Sequence, residues 1–81
     1  MTKALAWQMI RAAYKCAADL QSLMSALKAD CPAHEYEAHA RAIAASIASL
    51  NINMVERALK AHPDLQKRIE SDIANHGRLT E

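Results

Sequence analysis

The chain predicts an all-α fold, and three observations carry that prediction. Apolar residues keep helical spacing over two long stretches. In the first, Ala6, Ile10, Ala13, Ala17, Leu20, Met24 and Leu27 alternate steps of four and three, and Ala40, Ile43, Ile47, Leu50 and Met54 repeat the rhythm in the second. That rhythm is the seam of one helix lying alongside another. One Gly and two Pro in 81 residues leave too little punctuation for the many turns of a β-fold. Eighteen residues are Ala, the strongest helix former.

The first helix is expected from about Lys3 to Ala29. Asp30-Cys31-Pro32 ends it and starts the next, because Pro is welcome in a first helical turn and the residue before it avoids helical backbone. The second helix is expected from about Ala33 to Ala61. At His62-Pro63-Asp64 the same device recurs, with Pro63 as the first helical residue and Asp64 favoured by the helix dipole. The third helix then covers about 63 to 75, stopping before Gly77, and residues 78–81 read as a frayed tail. At 1.5 Å per residue the first two rods are each roughly 40 Å long and the third about half that. The short junction at 30–32 makes the long pair an antiparallel hairpin. The third helix, with the narrow stripe Leu65, Ile69 and Ile73, caps one end of it.

All 81 residues make one domain, close to the lower limit for folding alone. Eighteen of the residues behind the 52% hydrophobic content are Ala, which adds little burial, and Phe is absent. The apolar arc of the first helix runs from Ala12 and Leu5 through Leu23, Cys16, Met9 and Leu27 to Ala17 and Ile10. It spans about 160°, against roughly 100° for a helix facing one core. The second helix is about as greasy, from Leu50 through Ile43, Met54, Ile47 and Ala40 to Leu59. Each rod therefore calls for two neighbours, which a homodimer closing into a four-helix-bundle-like assembly supplies. Its interface and register would come from Ile10, Ala13, Ala17, Leu20, Met24, Ile43, Ile47, Asn51 and Met54. Asn51 falls inside the apolar arc, where a buried amide pairing across an interface fixes register. The other arrangement is a local distortion at Leu50-Asn51-Ile52-Asn53, the weakest helical stretch, that turns Asn51 outwards.

Trp7 and Tyr14 lie off the apolar arc of the first helix, in a row with Lys3, Arg11 and Lys15. Aromatics beside Arg and Lys have the composition of an interface hot spot. Either the third helix or a second subunit covers this row, or it is free to bind a larger protein.

No apolar run reaches membrane-spanning length. Gln8, Arg11 and Lys15 interrupt any secretory h-region, and Ser is scarce for a transit peptide, so a cytoplasmic chain is expected. Two cysteines do not make a secreted disulfide scaffold. A formal charge of +1 is a weak footprint for nucleic acid, leaving a nucleic-acid-binding dimer with two basic, aromatic rows as an alternative reading only.

His34-Glu35-Tyr36-Glu37-Ala38-His39 fails the spacing of a zinc protease, since its two His are five residues apart rather than four. Glu35 and His39 are one helical turn apart and suit an exposed pair. Cys31-Pro32 with His34 resembles a short haem-responsive dipeptide motif, which leaves a metal- or haem-responsive bundle as a further alternative. No cofactor or metal is otherwise implied. Gly-rich phosphate loops, a Ser-His-Asp order and an inward carboxylate pair are all missing, so no enzyme is expected. The reading these observations favour is a small, non-enzymatic helical interaction module that self-associates. It would act as adaptor, regulator or inhibitor by presenting the Lys3, Trp7, Arg11, Tyr14 and Lys15 face to a protein partner.

Overall fold

The computed structural model describes residues 1–81, which are helical with no strand. The elements are α1 (Lys3–Asp30), α2 (Ala33–Leu50), a π-helical turn (Asn51–Val55), α3 (Glu56–Ala61) and α4 (Leu65–His76). The middle three follow without interruption, so the chain has three rods. No helix is long and apolar enough to cross a membrane.

Each boundary has a local cause. Thr2 caps α1 by accepting the Leu5 amide at 3.1 Å, the usual service of an N-terminal Ser or Thr. Cys31 leaves helical geometry (φ −107°, ψ 147°) ahead of Pro32, as a residue before Pro should. Gly77 closes α4 in the left-handed region at φ 67° and donates its amide to the Ile73 carbonyl at 3.0 Å. The start of α4 differs from expectation. Leu65, Gln66 and Lys67 donate to His62, Pro63 and Asp64 in a tight i→i−3 turn, so regular helix begins at Leu65 rather than Pro63. Asp64 makes no side-chain cap there and instead forms an ion pair with Lys3, tying α4 to the start of α1.

The π turn corrects the expectation of one regular helix over 33–61. The Glu56 amide reaches back five residues to the Asn51 carbonyl, admitting one extra residue into the helix. Asn-Ile-Asn is weak helical sequence, and the seam gives a stronger reason. Unbroken, the rhythm 43, 47, 50, 54 would continue to 57 and turn Arg57 inwards. The extra residue moves Val55 and Ala58 into those slots; both are buried while Arg57 is exposed. Asn51 is exposed in the protomer rather than buried against its own core.

The core is small and sits at one end. Ala6, Trp7, Ile10 and Ala13 of α1 meet Val55, Ala58, Leu65 and Ile69, with Met54, Leu59 and Leu79 packed around them. Ile43 is the one other buried residue. Ile10, Ala13 and Ile43 thus belong to the protomer's own packing and are not free to form an interface between copies, as the seam alone suggested. Ala17, Leu20, Met24, Ile47 and Met54 remain half-buried.

Candidate interaction site

Two regions of α1 differ in what covers them. The first is the turn around Trp7. Leu65 and Ile69 present the narrow apolar stripe of α4 to it, and the last residues fold back over the indole. Trp7 Nε1 donates to the Thr80 carbonyl at 2.9 Å, and the Arg68 guanidinium lies 4.0 Å from the ring centroid, a cation–π contact. Thr80 is itself held by Asp72, whose Oδ2 accepts the Thr80 amide at 2.9 Å and its hydroxyl at 2.8 Å. Those two hydrogen bonds, the amide's first, hold the Asp72 carboxyl below the usual carboxylate range, with Arg68 and His76 adding to the effect. Arg68 donates to the Glu81 carbonyl at 2.9 Å, and Arg11 pairs with the Glu81 carboxylate at 3.6 Å.

These contacts overturn two expectations. Residues 78–81 are not a frayed tail but a clasp. Trp7 is not an exposed anchor: it is 4% exposed, roofed by its own chain. Of the predicted row, Lys3 is paired with Asp64 and Arg11 with Glu81, while Tyr14 (38% exposed) and Lys15 remain open. The five residues do not form one free recognition face. Their periodicity held the signal: Trp7 lies only about 60° around the helix from Ile10, so anything covering Ile10 from that side covers Trp7 too. The Asp72–Thr80 link had no local signal.

The second region is the open cleft between α1 and α2 beyond the core. Cys16, Asp19, Leu20 and Leu23 form one wall; Ala45, Ser46, Ser49, Leu50, Asn53 and Met54 form the other. Leu20, Leu23, Leu50 and Met54 make an apolar floor with Asp19, the two serines and Asn53 at its margins. Leu23 is 52% exposed, and Leu5 on the same side of α1 is 54% exposed. A separate small cleft joins Ala13, Tyr14 and Ala17 to Ile47, Leu50, Asn51 and Val55.

At the α1–α2 junction the predicted Glu35–His39 pair stands with its atoms 3.6 Å apart. Cys31 joins these two rather than His34: the donor atoms of Cys31, Glu35 and His39 lie within 4.8 Å of one another, and exposed His34 is outside the group. No protein-family model, curated protein or solved structure matches the chain.

Proposed function

We propose that this protein is a non-enzymatic, cytoplasmic helical interaction module whose partner across the open cleft is a second copy of itself. Its long rods form an antiparallel hairpin, and two hairpins meet as a four-helix bundle. The cleft linings support the hairpin, because residues advance on α1 as they recede on α2. Ala13 and Ala17 share a cleft with Val55 and Ile47, and Leu20 and Leu23 share one with Ser46 and Ala45.

One observation carries the dimer: the protomer is under-buried for its mass. Its accessible surface is 5709 Å², whereas a compact monomer of 8.9 kDa exposes about 4,800 Å². The excess of about 900 Å² matches the roughly 800 Å² that each partner contributes to a standard stable interface. The radius of gyration, 14.8 Å, likewise exceeds the roughly 12 Å of a compact chain this long. Leu5 and Leu23, exposed on α1, and the apolar lining of the cleft offer surface for such an interface. A module of this kind fits the core as well, since all nine buried residues are apolar.

Sedimentation at micromolar concentration tests the reading. The wild-type chain should run at twice 8.9 kDa, and Leu23→Glu, at an exposed position outside the core, should run as a monomer with its helicity intact. A wild-type species of 8.9 kDa across that range refutes self-association.

A further inference from the structure

We infer that Cys31, Glu35 and His39 form a binding site for a zinc-class divalent cation at the junction of α1 and α2. Three different side chains, each with a metal-ligating atom, converge there. One donor atom of each lies within 4.8 Å of the other two, and Glu35 Oε1 and His39 Nε2 are 3.6 Å apart. Zinc bonds of about 2.0–2.3 Å in tetrahedral geometry place neighbouring donors about 3.3–3.6 Å apart. One pair is thus already at coordination distance, and the thiolate needs only a small side-chain movement to complete the set.

The backbone explains the convergence. Residues 31, 35 and 39 are spaced by four, which keeps them on one side of α2, but in a regular helix the first and last would stand about 12 Å apart along the axis. Cys31 is extended rather than helical, and Pro32 stands between it and the first turn of α2. That bend brings the thiol over the first turns of the helix. Its position is anchored by its amide, which donates to the Leu27 carbonyl at 2.9 Å.

The electrostatics suit a cation. Glu35 and Asp30 set two carboxylates near the Cys31 thiol. A field that resists another negative charge is one that a bound cation relieves, and coordination to the cation deprotonates the thiol. A thiolate, an imidazole and a carboxylate form a mixed set suited to zinc, with a fourth position open to solvent or a ligand. The site involves none of the cleft residues, so it does not depend on self-association.

Titration of the reduced 81-residue chain with Co²⁺ reads it directly. The expected result is one Co²⁺ per chain, with a thiolate-to-metal charge-transfer band and the visible bands of a four-coordinate ion, both bleached by Zn²⁺. Cys31→Ser should abolish the charge-transfer band. His39→Ala and Glu35→Gln should each weaken binding by more than about tenfold, since even the outer partners of metal ligands are worth about 10–100-fold. Cys16→Ser and His34→Ala should leave it unchanged. All five residues lie outside the core, and circular dichroism should report equal helicity in every variant. No band at millimolar Co²⁺, a band that survives Cys31→Ser, or unchanged affinity in His39→Ala would overturn the site.

Discussion

The two ends of α1 are built from similar sequence and treated oppositely. Near Trp7 the helix is covered from two directions, by Val55 and Ala58 on one side and by α4 with the returning tail on the other. Around Cys16 to Leu23 it has one neighbour and an open apolar flank. Ala6, Ile10 and Ala13 are buried while Ala17, Leu20 and Met24, on the same seam, are only half-buried. A seam therefore states which residues want a neighbour and does not state which neighbour arrives. Whether a residue ends in the core or on a surface depends on the reach of α4, whose twelve residues (Leu65–His76) extend only about 18 Å.

The largest effect should come from emptying the covered end. Trp7→Ala removes the central aromatic together with its hydrogen bond to Thr80 and its contact with Arg68. Such a truncation costs roughly 3–5 kcal/mol. A domain of this length has in all only about 4–12 kcal/mol. Urea denaturation followed by circular dichroism should show a loss of about 3–5 kcal/mol, at any protein concentration. A loss below about 1 kcal/mol, the ordinary size of a point-mutation effect, would mean that the clasp is not what holds this end.

At the open end, concentration is the discriminating variable. Leu23→Ala in an isolated protomer is a surface change, expected within about 0.5 kcal/mol of neutral. In a dimer buried across the cleft, the wild-type midpoint rises with concentration and the variant loses most of that rise. Leu65→Ala, at the fully buried centre of the other end, should cost roughly 2–5 kcal/mol with the concentration dependence retained. If both variants behave alike, the contrast between the two ends fails.

Much of this contrast was legible in the residues. Pro32, Pro63 and Gly77 mark the helix ends to within two residues, because each restricts or frees the backbone locally. The wide apolar arc called for a second neighbour along α1, yet Leu5 and Leu23 on that arc stay exposed in the protomer. The direction of approach was not legible. The buried set of α1 is turned towards Trp7 from the centre of the apolar arc, and the contact responsible joins residues 73 apart in sequence. No local pattern encodes that pairing. Nor does spacing reveal that Cys31 folds over Glu35 and His39, since the reading rests on an extended residue interrupting the helical count.

The clasp itself should be acid-labile. The Thr80 amide and hydroxyl hold the Asp72 carboxyl low, and Arg68 and His76 help. A carboxyl depressed in the folded chain stabilises it above the unfolded value, about 3.9, and that contribution is lost as pH falls through the folded value. The tail should therefore stay docked at neutral pH and release below about pH 4, exposing Trp7 and shifting its emission to the red. Asp64, lowered by Lys3, loses its pairing in the same window, but it does not touch the tail. Asp72→Asn should erase the fluorescence step and Asp64→Asn should leave it. Persistence of the step in Asp72→Asn would detach the clasp from this carboxylate.

The smallest effect distinguishes the π turn from ordinary helix. If the extra residue exists to keep Arg57 out of the seam and bring Val55 and Ala58 in, that residue is removable. Deleting Ile52, 58% exposed, closes the turn to regular α-helix and leaves Val55 and Ala58 facing the core, because the step from Leu50 shrinks from five to four. Stability should change by no more than about 0.5 kcal/mol, the range of a surface substitution. Deleting Ala44 from the regular part of α2 removes one residue with no bulge to absorb it. It rotates part of that rod by about 100° relative to the rest, setting Ile43 at odds with Val55 and Ala58. Thermal melts of the two single-residue deletions should therefore separate widely. Equal damage from both would show that the π turn is a consequence of weak helical sequence and not a correction of phase.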